Sequence, residues 1–96
     1  MDMGLLFEWD PSKAERNKRI HGVSFDEACT TFGDPLSKTI GDPFHSEDEQ
    51  RFVLIGQSVG RRVLVVVHSE RDERIRVISA RLASKKERRS YEKDEG

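Results

Sequence analysis

The chain has 96 residues, of which 36% are charged and 34% hydrophobic, and a formal net charge of −1. That length is one domain's worth of chain with a single modest core. A lone cysteine, Cys29, excludes an internal disulfide and suits a reducing cytoplasm; no apolar run approaches the ~20 residues a membrane helix needs, and the acidic N-terminus has too short an apolar stretch for a signal peptide.

Taken alone, the near-zero net charge argues against a nucleic-acid partner, yet it averages two unequal halves. Residues 1–50 hold 5 Lys+Arg against 11 Asp+Glu, and residues 51–96 hold 12 against 7. Such asymmetry fits a polyanion-binding surface on one face; it fits a well-solvated surface of mixed sign equally well.

The elements read in order as follows. Leu5–Trp9 is a short strand candidate. Asp10 is a good N-cap and Pro11 suits the first helical position, so a helix is predicted from there to about His21, with Gly22 as the left-handed stop. Ser24-Phe25-Asp26-Glu27 fits a capping box, with Glu27 reaching back to the cap. Phe25, Ala28, Cys29 and Phe32 then fall on one helical stripe, ended by Gly33. Cys29 in that stripe reads as a buried thiol, not a nucleophile. Gly33-Asp34-Pro35 and Gly41-Asp42-Pro43 bracket a short edge strand, "LSKTI". Residues 42–50 form an acidic surface loop in which His45 is solvated.

Three strands follow. "RFVLIGQ" (51–57) and "RVLVVVHSE" (62–70) flank a tight turn at Ser58-Val59-Gly60-Arg61, and "ERIRVISAR" (73–81) comes after Arg71-Asp72. Dense Val and Ile with turns at this spacing predict an antiparallel meander whose Val-rich strand is central. Ser84-Lys85-Lys86-Glu87 is a second capping box opening a C-terminal helix, "KKERRSYEK". The order β-α-α-β-β-β-β-α gives an α+β fold: an antiparallel sheet with two N-terminal helices and one C-terminal helix.

No metal motif, paired cysteines, Gly-rich phosphate loop or nucleophile triad appears, and no cofactor is expected. The remaining chemistry lies in Arg, His and Glu on the sheet. If Val59-Gly60 are the central turn residues, Arg51 faces His68 across the hairpin, with Glu70 two residues on and on the same face. Those three would form an acid–base and charge-stabilising set, or a rim of solvated charges. The last hairpin leaves two registers open, one placing Arg76 opposite His68 and the other Ile75. Residues 79–89 add five Lys/Arg against one acid, fit to grip phosphates at a strand end and a helix start. The first helix is strangely polar: Ala14, Asn17, Lys18 and His21 fall on its stripe, so Asn17 and His21 either hydrogen-bond to the sheet or line a site.

Two blocks, "FEWDPSKAERNKRIHGVSFDEACTTFGDP" and "ERDERIRVISARLASKKERRSYE", resemble the BrnT family of bacterial toxins. The most specific parts are Trp9-Asp10 with Asn17, His21-Gly22-Val23-Ser24-Phe25, Ile78-Ser79-Ala80-Arg81, and Glu87-Arg88-Arg89 with Tyr91. The resemblance implies a RelE-like fold and a ribonuclease toxin that blocks translation. It also implies a BrnA antitoxin that neutralises the toxin and carries a DNA-binding part, the complex repressing its own operon. In that setting cleavage would proceed without metal by attack of a ribose 2′-hydroxyl on the adjacent phosphate. His68 or Glu70 would take the proton, and Arg51, Arg76 and Arg81 would stabilise the charge developing on phosphoryl oxygens. Lys18, Arg74, Lys85, Lys86 and Arg88, with His21, would hold the RNA. The competing readings are a non-catalytic nucleic-acid or protein-binding module, and a decayed toxin that still binds its antitoxin.

Overall fold

The structure is a computed structural model and describes residues 4–42 and 50–93. The elements run β1 (Leu6–Glu8), α1 (Pro11–His21), α2 (Phe25–Thr30), a 3-10 turn (Thr31–Gly33), β2 (Lys38–Gly41), β3 (Arg51–Gln57), β4 (Val63–Arg71), β5 (Arg74–Leu82) and α3 (Lys85–Lys93). This is the expected element order, and the fold is α+β. The strands form one sheet in the order β1-β5-β4-β3-β2. Its β3-β4-β5 portion is the expected antiparallel meander and β2 the expected edge strand, while β1 departs from the expected antiparallel sheet by joining β5 in parallel. The chain passes through α1 and α2 to the far edge of the sheet, where β2 runs opposite to β1, and three successive antiparallel pairings then bring β5 back beside β1 in the same direction. The predicted acidic loop with His45 lies almost wholly outside the described residues.

The helix ends form as their chemistry dictates. The Asp10 carboxylate accepts from Ser12 N at 2.9 Å, which with the Ser12 hydroxyl holds its carboxyl below the usual range. Gly22 takes φ +70° and its N–H donates to Lys18 O at 2.9 Å, so His21-Gly22 does stop a helix. Ser24 Oγ accepts from Glu27 N at 3.0 Å. The reciprocal half of that capping box is absent: the Glu27 carboxylate turns away from Ser24 and binds Arg62 and Ser58 in the β3–β4 turn. Arg62 first, aided by the Ser58 hydroxyl, holds Glu27 below the ordinary glutamate value against its partial burial.

Both hairpins differ from the sequence reading, and the difference decides which side chains meet. The β3–β4 turn holds three residues, Val59-Gly60-Arg61, closed by Ser58 N to Arg62 O at 2.8 Å, with Arg61 in the left-handed conformation at φ +63°. A three-residue loop ending in a left-handed residue is a standard hairpin, and Arg61 takes that place in preference to Gly60. The register therefore shifts by one: Arg51 faces Ser69, and His68 faces Phe52. A one-residue slip moves a side chain to the other face of the sheet. In the last hairpin, Asp72 and Glu73 both take positive φ, +52° and +65°, in a two-residue turn, and His68 faces Val77, neither Arg76 nor Ile75. A bulge in β5 opposite Val67/His68 then inserts one residue.

The inner face of the sheet is closed by α1 and α2. Val23, Phe25 and Ala28 pack with Leu64, Val66, Val77 and Ala80, flanked by Phe7, Trp9, Ala14, Cys29 and Phe32. Gly56 lets the chain pass: a Cβ there would stand 2.9 Å from Ser37 Cβ. Cys29 is half-buried rather than fully buried, and burial, then the nearby Asp26 charge, pushes its thiol up to about 12, which disfavours the nucleophilic thiolate. The polar stripe of α1 is explained by Asn17. Its amide donates to Ala80 O at 2.8 Å and Val23 O at 2.9 Å and accepts from Ala80 N at 3.1 Å. β1 covers only Arg74–Arg76 of that strand edge, so Asn17 satisfies the backbone where β1 has ended. α3 lies on the outer face, where Tyr91 donates to Asp34 at 2.5 Å. Asp34 also accepts from Gln57 N at 2.8 Å and Leu36 N at 3.0 Å. Although partial burial opposes ionisation, those hydrogen bonds leave the Asp34 carboxyl below its usual value.

Candidate active site

The bulge in β5 sets what the outer face carries. In a regular strand Arg76 and Arg81 would point to opposite sides. With one extra residue between Val77 and Ser79, Arg74 and Arg76 share a face with Ser79 and Arg81, while Val77 and Ala80 both reach the core. Bulges re-aim side chains in this way beside functional surfaces.

One row crosses this face. Glu8 of β1 pairs with Arg76 of β5, Arg76 with Ser69 of β4, and Ser69 with Arg51 of β3. Asp42, whose N–H donates to Arg51 O at 2.8 Å, continues the ladder at the far end. Arg71 and Arg74 form a facing pair two residues along β4 and β5, on the same side. Four guanidiniums and two carboxylates thus share one patch. With strands about 4.8 Å apart, Arg51 and Arg76 arise about 10 Å apart, so their long side chains can converge on one phosphate.

Glu8 is held between two of these arginines, Oε1 at 3.6 Å from Arg74 Nη1 and Oε2 at 3.4 Å from Arg76 Nη1. The three side chains are 30%, 57% and 37% exposed. Ion pairs this long and this open contribute about 0–1 kcal/mol, so stability is a weak reason for the cluster.

His68 does not join the row. It is 1% exposed on the inner face, stacked on Phe52 with centroids 5.6 Å apart and met edge-on by Phe32 at 4.9 Å. Its Nε2 lies 3.6 Å from Glu70 Oε2, so the expected His68–Glu70 pairing is present, but at the inner rim. Burial drives the imidazole's proton affinity below the ordinary value, against the pull of Glu70. The placement of Arg51 beside His68 is therefore corrected: the two stand on opposite faces.

Arg81 is on the outer face but already engaged. Its guanidinium binds Glu87 through two bonds, 2.8 and 2.9 Å, and Ser84 N donates to the same carboxylate at 2.8 Å. Arg81 first, with the Ser84 N–H, pulls Glu87 down to about 2. The second capping box is complete, with Glu87 N donating to Ser84 Oγ at 3.1 Å, and the pair clasps α3 to β5.

Of the expected RNA-holding residues, Lys85, Lys86 and Arg88 are exposed on α3. Lys86 lines a cleft of about 380 Å³ with Lys38, Ile40, Val53, Ile55, Val65 and Tyr91, on the same face as the row. Lys18 and His21 are exposed on α1, which covers the inner face, so the structure does not bring them to the arginines. Sequence reading missed Glu8, Ser69, Arg71 and Asp42. The signal for Glu8 was alternation: Phe7 and Trp9 are apolar and Glu8 between them must face the other way. Its strand partner lay beyond sequence reach. Among the described residues no three His, Cys, Asp or Glu are grouped to hold a metal ion.

A family model described as "Ribonuclease toxin, BrnT, of type II toxin-antitoxin system" matches residues 9–87. The 1.1 Å crystal structure of the Brucella abortus ribonuclease toxin BrnT is similar to this chain with a TM-score of 0.64 and 26% identity, over 84% of this chain and 99% of that one. No curated protein matches.

Proposed function

Since the chain belongs to the BrnT family of type II toxin–antitoxin ribonuclease toxins, we propose that it cuts RNA on the outer face of the sheet, without metal, and thereby inhibits translation. The observation that carries this reading is the row Glu8–Arg76–Ser69–Arg51 with Arg71 and Arg74 beside it. Phosphoryl transfer builds negative charge on the non-bridging oxygens, and fixed cations aimed at those oxygens lower the barrier. Arg51 and Arg76 take the scissile phosphate from two sides. Arg71 and Arg74 raise the local attraction for the backbone, and Lys85, Lys86 and Arg88 on α3 hold flanking phosphates. The nucleophile is the ribose 2′-hydroxyl, which DNA lacks. Arg81 acts through Glu87, positioning α3 over the face.

The partner in this reading is a BrnA-like antitoxin with a DNA-binding part, joined in a toxin–antitoxin hetero-oligomer that reaches operon DNA through the antitoxin. The setting is the cytoplasm. Expression of the chain alone tests the activity: RNA integrity and growth fall, purified protein cleaves RNA equally with and without EDTA, and co-expression of the adjacent antitoxin frame restores growth. Intact RNA and normal growth at good soluble yield contradict it.

A further inference from the structure

Cleavage through the 2′-hydroxyl needs a group to take its proton, and the buried imidazole of His68 does not reach the arginine face. We infer that Glu8 is that proton acceptor, a proposal that rests on the ribonuclease reading above. Among the described residues at outward positions of the five strands, every other side chain is cationic, neutral or apolar; Asp42, just past β2, is the second carboxylate of the row. The two carboxylates are unequal in setting. Arg71, Arg74 and Arg76 gather at the Glu8 end, and Arg51 stands at the Asp42 end. The scissile phosphate is drawn toward the excess of guanidinium, which is beside Glu8.

The distances suit the role. A phosphate oxygen accepting from Arg76 Nη1 lies about 2.9 Å from it. In a reactive geometry the 2′-oxygen stands about 3–3.5 Å from phosphorus. Glu8 Oε2 is 3.4 Å from that same nitrogen, so a hydroxyl on a phosphate so held falls within hydrogen-bond reach of the carboxylate. The carboxylate is partly open to solvent and its nearest cations are long contacts, so its lone pairs are available. In the step, Glu8 removes the 2′-proton, the O2′–P bond forms and the P–O5′ bond breaks. The departing 5′-oxygen takes a proton from water, and the hydroxide so formed takes the proton back from Glu8. The products are a 2′,3′-cyclic phosphate and a 5′-hydroxyl, with no net change in atoms or charge.

The test is single-turnover cleavage of a short RNA by wild type, Glu8→Gln, Glu8→Asp, Asp42→Asn and Arg76→Ala, with affinity read separately on a 2′-deoxy analogue. Loss of a general base costs about 10²–10⁴-fold. Glu8→Gln is expected to lose cleavage by that factor while keeping affinity for the analogue within about 3-fold, a split a merely structural carboxylate would not give. Glu8→Asp, which keeps a carboxylate, recovers part of the rate. An RNA whose 5′-bridging oxygen is sulfur needs no leaving-group proton, and the Glu8→Gln defect persists on it. Near-wild-type cleavage by Glu8→Gln with loss in Arg76→Ala overturns the proposal and leaves the ribonuclease reading standing, as does a defect confined to Asp42→Asn. No cleavage by wild type overturns both.

Discussion

On the inner face of the sheet, Leu64 and Val66 are closed under α2 and His68 is sealed between Phe32 and Phe52. On the outer face, one residue along each strand, Arg51, Ser69 and Arg76 stand in a row with Glu8 at its end. The same four strands thus spend alternate residues on opposite tasks. The inner set excludes water and gains from apolar burial. The outer set collects like charges, a local arrangement that repels itself and is relieved by an anion. An ionisable group on the inner face bears on stability, and one on the outer face bears on what the protein binds.

That contrast can be broken or sharpened experimentally. The largest effect is expected inside: Leu64→Ala removes a fully buried side chain and should cost about 2–5 kcal/mol in denaturant unfolding. Cleavage per folded molecule should stay near wild type. Asn17→Ala should cost about 1–3 kcal/mol, because Val23 O and the Ala80 backbone lose their buried partner.

A smaller effect is pH-dependent. The ordinary histidine value is 6.5, and burial holds His68 below it. As pH falls below about 6.5, the unfolded chain takes up a proton that the folded chain refuses, so stability declines from there down to the folded value. Unfolding between pH 7 and 5.5 should show this slope in wild type and a shallower one in His68→Leu. The window stays above the range where the paired carboxylates Glu27, Asp34 and Glu87 add their own loss.

Much of this fold was legible in the sequence because its signals are local. Asp10-Pro11, Gly22, Ser24 and Ser84 each act within a turn of where they stand, and each forms the expected boundary. The residues that most resemble the BrnT family are largely of this kind. Asp10, Gly22 and Ser24 shape helix ends, Asn17 completes a strand edge, Arg81 with Glu87 clasps α3, and Tyr91 ties α3 to Asp34. They report the fold, and the arginine row stands apart from them.

The site was less legible because it depends on three non-local facts. A three-residue turn with Arg61 at positive φ shifted one register, a bulge in β5 shifted another, and β1 paired with a strand 68 residues away, Glu8 with Arg76. In the first two cases one residue exchanges inner for outer. Arg51 and Arg76 were identified as charge-stabilising candidates and do share a face. His68, chosen through the wrong register, does not.

The measurement that bears most directly on the two-face account is RNA cleavage by Arg76→Ala beside His68→Leu, each confirmed folded by circular dichroism and thermal unfolding. Removing a fixed transition-state cation costs about 10²–10³-fold, so Arg76→Ala should fall by that much at nearly unchanged melting temperature. His68→Leu should cleave within about 3-fold of wild type. Full activity in Arg76→Ala with loss in a folded His68→Leu would contradict the account.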